Sequence, residues 1–427
     1  MTDSLAVWLY GTLVAALDRN QRRRLTLRYT QEAFDRFGPY SPIFSASMPL
    51  RREPYPNAIT RDFFDGLLPE GEARRTIARE LGIDEEDTYS LICELGRDCA
   101  GALVVQAGSE PVPPEISLEG ARPISDAEVA ERIASLPLTP LGVDEEIRLS
   151  LAGVQRKLLL TRRADGGWAL PINGVPSTHI LKPQIDNPDW PGTVENEAFC
   201  MRLARVSGLR AAEVEVLHFG HQPVLVVERF DRRISNGRVS RIHQEDSCQA
   251  LGLRPTQKYE DRGGPSFKKV ADVLKRFRRE SDLPDLLALV TFNIAIGNAD
   301  GHGKNYSILH HPGGSLELSP GYDLMSTVMY PEVSRTMGMY VDSVRRIDQV
   351  KGQRIVNEAA SWGIRRDLAK QIVANTLHNV GVAIDNMDSG LEAPPGLSDA
   401  VKRRTAELVE TLHPRVEVEA FDSKKTA

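Results

Sequence analysis

The chain has 427 residues, with 53 Lys and Arg against 59 Asp and Glu, so its formal net charge at pH 7 is −6. Apolar residues make up 41 % and charged residues 26 %, a composition typical of soluble globular proteins rather than of disordered or membrane chains. The acidic balance also disfavours an autonomous, non-specific DNA binder, because neutralising phosphates requires a basic face.

Cysteine usage and hydropathy indicate the compartment. The four cysteines contain no C-x-x-C pair, which disfavours a zinc ribbon or a thioredoxin motif, and so few indicate a reducing compartment. The apolar run near the N-terminus lacks a basic flank and is interrupted at Tyr10-Gly11, so it predicts a strand and a turn rather than a signal peptide. With no run of 18 apolar residues, we expect a cytoplasmic protein without a membrane partner.

The first third of the chain predicts a small module and a connection. Residues 1–105 mix short apolar strands with helices. Residues 106–140 predict a linker and a short helix, because 106–124 is rich in proline and glycine and Ser125 opens a capping-box pattern.

The rest of the chain predicts two lobes. Residues 141–235 predict a β-rich lobe of strands around one helix. Residues 236–420 predict a helical lobe, interrupted by one hairpin at Pro312-Gly313-Gly314. Together these elements predict an α+β fold, and a β-rich lobe followed by a helical lobe is an arrangement seen in kinases.

The polar loop GNADGHGKN carries the strongest chemical signal. It follows an apolar helix and precedes a strand, so rigid elements hold it at both ends. Asp300 and Asn305 have the D-x-x-x-x-N spacing of a kinase catalytic loop, in which a carboxylate meets the attacking hydroxyl and an amide oxygen binds Mg²⁺. Lys304 could offset the charge of the transferring phosphate. The alternative is an ordinary polar turn.

A second metal ligand is expected where the hairpin returns. The strand pair after Asn305 brings the chain back to Tyr322-Asp323, so the Asp323 carboxylate can lie close to the Asn305 amide. No Phe follows Asp323, so the segment is not a literal D-F-G motif. The alternative role of Asp323 is a cap.

A lysine for the ATP phosphates should come from the β-rich lobe. Lys182 ends the apolar strand THILKP, and Glu195 or Glu197 in the next helix could pair with it. Without that pairing, Lys182 would be a surface lysine. We interpret His302 as an oriented hydrogen-bond partner, and most basic pairs, Arg232-Arg233 among them, as solvated faces.

Several segments resemble one family in order and spacing, from about residue 5 to about residue 415. In the N-terminal module they are FFDGLLPEG and SLICELGRDCAGALVV. In the β-rich lobe they are SLAGVQRKLLL, THILKP, VENEAFCMRLA and VVERFDRR, and in the helical lobe IHQEDSCQALGL, KYEDRGGP, NADGHGKNYS and GYDLMS. The chain therefore resembles the HipA family of bacterial toxin kinases from type II toxin–antitoxin systems.

The resemblance implies a protein-kinase-like, two-lobed fold with an extra N-terminal α/β subdomain and a mostly helical C-terminal lobe. It implies that Asp300 is the catalytic base, that Asn305 and Asp323 bind Mg²⁺, and that Ser150 is autophosphorylated. It further implies contacts with ATP from the residues Ala152, Gly153, Val154, Gln155, Lys157, Lys182, Glu228, Phe230, His302, Lys304, Asn305, Tyr322 and Asp323.

The implied activity is an ATP-dependent serine/threonine protein kinase toxin that phosphorylates an aminoacyl-tRNA synthetase and arrests growth. The implied partner is a small helix-turn-helix antitoxin, HipB-like, through which the chain would reach operator DNA. Two alternatives stay open: a small-molecule phosphotransferase, which would lack the N-terminal module, and a non-catalytic co-repressor that binds the antitoxin.

Overall fold

The computed structural model describes residues 3–108, 115–136, 156–172, 174–277, 279–387 and 393–412. An antiparallel sheet in the order β3-β2-β1-β4 forms the N-terminal module, and its helices cover a separate apolar core. The side chains of Thr30 and Asp87 cap the first and fourth helices. The elements are β1 (Asp3–Leu9), β2 (Thr12–Arg19), β3 (Leu25–Tyr29), α1 (Gln31–Phe37), α2 (Asn57–Asp65), α3 (Gly71–Glu80), α4 (Thr88–Leu95) and β4 (Leu103–Ala107).

The β-rich lobe contains a six-stranded sheet in the order β10-β11-β9-β7-β8-β6 and one long helix, α6. The short strands β5 and β6 fall where the sequence predicts a linker: β6 is an edge strand of this sheet, and β5 pairs with β13 in a separate three-stranded sheet. The helix predicted to follow Ser125 is confirmed. The elements are β5 (Glu115–Ser117), β6 (Arg122–Ile124), α5 (Asp126–Ser135), β7 (Leu158–Arg162), β8 (Trp168–Leu170), β9 (His179–Pro183), α6 (Thr193–Val206), β10 (Val214–Phe219) and β11 (Gln222–Glu228).

The helical lobe surrounds the apolar helix α9, most of whose apolar side chains are buried. The predicted helices and the predicted hairpin (β15 with β16) are confirmed, and β14 adds a third strand to that hairpin. The prediction of a single hairpin is wrong, because β17 and β18 pair as a second one. The elements are β12 (Arg232–Ser235), β13 (Arg238–Arg241), β14 (His243–Asp246), α7 (Ser247–Ala250), α8 (Phe267–Arg276), α9 (Leu283–Ile296), β15 (Ser307–His310), β16 (Leu316–Leu318), β17 (Thr336–Val341), β18 (Val344–Arg346), α10 (Gly352–Ser361), α11 (Arg366–Asn386) and α12 (Leu397–Glu410).

A buried network of charges joins the N-terminal module to the chain that connects the two lobes. Asp98 of the module accepts hydrogen bonds from Arg232 Nη2 at 2.8 Å and from Ser177 Oγ at 2.7 Å. Arg229 lies 2.8 Å from Asp231, and the charged side chains of these residues are at most 2 % exposed. The prediction that Arg232 belongs to a solvated face is therefore wrong, because its guanidinium is paired with carboxylates inside the protein.

Replacing Asp98 with Ala is expected to lower the free energy of unfolding by about 3–5 kcal/mol, since it leaves buried guanidinium groups without their carboxylate. Urea unfolding followed by tryptophan fluorescence measures the loss. The matched control is Asp367→Ala, which removes an exposed carboxylate that pairs with Arg365 and should shift the unfolding midpoint far less. Equal midpoints for both variants would contradict this role of Asp98.

A second buried contact fixes the module against the helical lobe. The carboxylate of Glu245 in β14 accepts hydrogen bonds from Ser45 Oγ and from the backbone N–H of Ala46, both at 2.7 Å. Its Oε1 also lies 2.9 Å from His310 Nε2 on the neighbouring strand. Because these contacts are buried, the module is held next to β14 and to its partner β15, the strand that follows the GNADGHGKN loop.

Candidate active site

The loop that carries Asp300 begins where α9 ends. Gly297 has φ 75°, a left-handed conformation that glycine adopts without strain and that terminates the helix. Asn298 then bonds back to the helix, because its Nδ2 donates to Asn293 Oδ1 at 2.8 Å. Its Oδ1 accepts from the backbone N–H of Asp300 at 3.1 Å. The buried helix therefore sets the position of an exposed carboxylate at residue 300.

The hairpin formed by β15 and β16 returns the chain to the same loop, as the sequence predicts. Asn305 Nδ2 donates to Asp323 Oδ2 at 2.8 Å. Asp323 has φ 59°, which a residue other than glycine adopts at some cost and which is frequent at functional sites. The positive charge of Lys182 holds the pKa of Asp323 well below its ordinary value, so this carboxylate is ionised at neutral pH.

Lys182 joins the two lobes. Its Nζ lies 2.7 Å from Glu197 Oε1 of α6 and 2.7 Å from Asp323 Oδ1. Although burial favours the neutral amine, the carboxylates of Asp323 and Glu197 raise the pKa of Lys182 above its ordinary value. Of the two glutamates predicted as partners, Glu197 makes the pair, and burial raises its pKa.

Aromatic side chains lie where β11 leaves the β-rich lobe. The rings of Phe230 and Tyr322 are 5.5 Å apart. The Tyr322 hydroxyl is 2.6 Å from Ser307 Oγ and donates to the Lys304 carbonyl at 2.6 Å, so this ring is fixed to the loop. Glu228, the last residue of β11, is exposed beside them. The arrangement offers an apolar, partly buried surface that a planar base could contact.

Lys304 is buried inside the protein. Its Nζ forms an ion pair with Asp246, lies 3.7 Å from Glu70 Oε1 and donates to the Gly66 carbonyl at 3.4 Å. The last two partners belong to the N-terminal module, so this lysine links the module to the loop. The expected contact of Lys304 with the transferring phosphate stays a prediction.

The loop at residues 152–157, which is expected to contact ATP, lies partly within the described residues. Lys157 is in electrostatic contact with Lys182 and Asp323, and burial, together with the charge of Lys182, lowers its pKa to about 7. The remaining expected residues of this loop, and the expected phosphorylation site, lie outside the described residues: Ser150, Ala152, Gly153, Val154 and Gln155.

Tyr259 is a site residue that the sequence does not single out, and Asn196 attaches α6 to the segment that follows Asp323. The hydroxyl of Tyr259 donates to Asp300 Oδ1 at 3.0 Å, and its ring meets His302 edge-on at 5.2 Å. His302 donates its backbone N–H to Asn305 Oδ1 at 3.1 Å, and burial lowers the pKa of its ring to about 4. Asn196 of α6 exchanges hydrogen bonds with the backbone of Ser326 at 3.0 and 2.9 Å.

The oxygen atoms of Asn305 and Asp323 suit Mg²⁺. The ion prefers carboxylate, amide and water oxygens and is often held by one or two protein ligands together with substrate phosphates. The Asn305 and Asp323 side chains are already in contact, and Lys182, a cation suited to phosphate, touches the same carboxylate. Within the described ranges, no group of three or more His, Cys, Asp or Glu could hold a metal, so a site here would draw further ligands from phosphate and water.

Comparison with known proteins gives consistent matches along the chain. The HipA N-terminal domain matches residues 5–106, and the HipA-like C-terminal domain matches residues 149–384. The serine/threonine-protein kinase toxin HipA of Shewanella oneidensis is 37 % identical over 358 residues, 80 % of this chain and 79 % of that protein. The candidate kinase Y4mE of Sinorhizobium fredii is 39 % identical over 386 residues, 89 % of this chain and 90 % of that protein.

The solved structure of the Shewanella oneidensis MR-1 HipA, HipB and operator DNA complex contains a chain of the same fold. It superposes with a TM-score of 0.79 at 30 % identity and covers 96 % of each chain. The predicted α+β, two-lobed, kinase-like fold with an additional N-terminal subdomain is therefore confirmed. Among the helices that the structure describes, none is long and apolar enough to cross a membrane.

Proposed function

The chain belongs to the HipA family, and from this premise we propose that it is a serine/threonine protein kinase that uses ATP and Mg²⁺. The observation that carries the proposal is one continuous set of contacts between the lobes. Glu197 pairs with Lys182, Lys182 with Asp323, and Asp323 with Asn305, five residues after Asp300. Kinases need these residue types, in this order, to hold a nucleotide and to orient a hydroxyl.

Each residue of the candidate site has its own role in the proposed phosphate transfer. Asn305 and Asp323 would hold Mg²⁺ through their side-chain oxygens, and the ion would offset negative charge on the phosphates of ATP. Lys182, kept charged by its two carboxylates, would bind the phosphates of ATP. Asp300 accepts a hydrogen bond from the substrate hydroxyl and takes its proton as phosphate is transferred. Phe230 and Tyr322 would contact the adenine, near the backbone of Glu228.

The proposed biological role is that of a toxin in a toxin–antitoxin pair in the cytoplasm. Its target would be a protein hydroxyl, with an aminoacyl-tRNA synthetase as the proposed substrate, and its action would arrest translation and growth. Because the Shewanella relative is known in complex with HipB and operator DNA, we propose a HipB-like antitoxin as a partner of this chain as well. Contact with operator DNA would then run mainly through the antitoxin, as the acidic net charge of this chain favours.

The experiment that tests the activity is phosphate transfer from ATP labelled on its γ-phosphate. Purified protein is incubated with Mg²⁺ and with cell extract, and labelled proteins are identified by mass spectrometry. Label on serine or threonine of an extract protein, absent when Asp300→Asn replaces the wild type, is the expected result. If neither the protein nor the extract becomes labelled, the chain is a binding protein, and an antitoxin-dependent shift of operator DNA would then support the co-repressor alternative.

Autophosphorylation at Ser150 is expected to add one phosphate to the chain and to lower its activity afterwards. A phosphoserine at position 150 would carry negative charge close in sequence to Arg156 and Lys157, and charge-assisted hydrogen bonds with such side chains would change the position of this segment. Intact-mass spectrometry after incubation with Mg²⁺ and ATP measures the added phosphate, and Ser150→Ala is the matched control. An unmodified mass in an otherwise active preparation contradicts this prediction.

A further inference from the structure

We infer that Tyr259 is a positioning residue for phosphoryl transfer, which holds one oxygen of Asp300 and leaves the other directed to the substrate hydroxyl. The inference rests on the proposed function, because it assigns a geometric role within that reaction. Among the side chains that the structure describes, Tyr259 is the one that bonds to the Asp300 carboxylate, at 3.0 Å to Oδ1.

The direction of this hydrogen bond is set by chemistry. A carboxylate only accepts, so the phenol must donate. Burial and the nearby Asp300 charge raise the pKa of Tyr259, which keeps the phenol protonated at neutral pH. A donor fixed on Oδ1 restricts rotation of the Asp300 carboxylate, which is otherwise exposed. A base held in one orientation meets the substrate hydroxyl more often in a productive geometry.

The position of Tyr259 is itself fixed by its own segment. The carbonyl of Tyr259 accepts from the backbone N–H of Arg262 at 3.0 Å and of Gly264 at 3.1 Å, which closes a tight turn. A Cβ at Gly264 would overlap the carbonyl oxygens of Gln257 and Tyr259, so this turn needs glycine. The phenol is thus carried by a rigid turn and not by a free loop.

The turn that carries Tyr259 is also bonded to the GNADGHGKN loop that carries Asp300. The Lys258 carbonyl accepts from the backbone N–H of Gly303 at 2.9 Å, and a Cβ at Gly303 would overlap the ring of Pro265. Lys258 Nζ lies 3.4 Å from Glu70 of the N-terminal module, the residue that also faces Lys304. Backbone contact on one side and ion pairs on the other hold Tyr259 and Asp300 at a constant separation.

A double-mutant cycle tests the inference. Tyr259→Phe keeps the ring against His302 and removes only the hydroxyl, so kcat for phosphate transfer should fall about tenfold to hundredfold, the usual effect of losing a hydrogen bond to a charged group. The KM for ATP should stay within about twofold, because the hydroxyl bonds to Asp300 and not to Lys182 or to the proposed metal ligands. In the background of Asp300→Asn, whose residual rate is measured in long incubations, the same substitution should cost little more.

The control is Tyr340→Phe, which removes a hydroxyl from a neighbouring tyrosine whose ring lies over Arg345 and whose backbone N–H donates to Glu260. This variant should keep the wild-type kcat. The inference is overturned if Tyr259→Phe keeps wild-type kcat, if it raises only the KM for ATP, or if its effect is undiminished in the Asp300→Asn background. Absence of turnover in the wild type itself would instead overturn the proposed kinase activity and this role with it.

Discussion

Replacing Asp300 with Asn is expected to lower the rate of phosphate transfer by about 10²–10⁴-fold, the usual contribution of a general base. The amide has the same shape as the carboxylate but cannot take the proton of the substrate hydroxyl. ATP affinity should stay near the wild-type value, because the lysine and the proposed metal ligands are unchanged. Single-turnover transfer of labelled phosphate measures the rate, and calorimetry measures the affinity.

The matched control for Asp300→Asn is Asp261→Asn, which neutralises an exposed carboxylate in the neighbouring turn and should retain full activity. Near-wild-type turnover of Asp300→Asn would show that another group accepts the proton.

The pH dependence of the transfer gives an independent test of the same base. Desolvation by the surrounding side chains, followed by the charge of Asp323, raises the pKa of Asp300 above its ordinary value, although the hydroxyl of Tyr259 opposes this. The carboxylate is therefore protonated at a higher pH than an ordinary aspartate, and only its ionised form accepts the proton. The transfer rate should fall as the pH drops through this raised pKa. Pre-steady-state rates measured at a series of acidic pH values show where this fall occurs.

Replacing Asp323 with Ala is expected to abolish Mg²⁺-dependent binding of ATP. The substitution removes a proposed protein ligand of the metal and one of the two carboxylates paired with Lys182. Loss of an outer-sphere partner of a metal ligand already costs about 10–100-fold in affinity, so the loss of the ligand itself should cost more than about 100-fold. Calorimetric titration with a non-hydrolysable ATP analogue, with and without Mg²⁺, separates the metal-dependent part of the affinity.

The control for Asp323→Ala is Asp348→Ala, which removes a half-exposed carboxylate paired with Arg346 and should bind the nucleotide normally. If Asp323→Ala and the wild type bind Mg²⁺ and the ATP analogue equally, Asp323 does not hold the metal. If binding is lost equally with and without Mg²⁺, the effect of Asp323 acts through Lys182 alone.

Two features of the candidate site follow from local sequence. The polar loop after α9 can be predicted because a long apolar helix must be buried, so the loop lies at its end. The contact between Asp323 and Asn305 can be predicted because a hairpin returns near its start. The role of Lys182 can be predicted because this lysine comes at the end of an apolar strand. In each case a short stretch of chain determines where the side chain points.

Other contacts depend on residues that are distant in the sequence. Tyr259 and Asp300 are 41 residues apart, and Asp98 and Arg232 are 134 apart. Nothing in the pattern around Arg232 distinguishes a buried guanidinium from an exposed one. The same holds for Lys304, whose carboxylate partners come from β14 and from the N-terminal module.

The sequence by itself determined the α+β fold, the order of the lobes and the set of polar groups at the end of α9, since periodicity and turn residues act over a few positions. Only the tertiary structure decided which glutamate pairs with Lys182, that a buried ion network holds the N-terminal module, and that a tyrosine from another segment bonds to Asp300. The physical reason is that tertiary packing decides which group a charged or polar side chain contacts. Packing brings together segments that are far apart in the sequence, and the residues around each segment do not indicate which other segment it will meet.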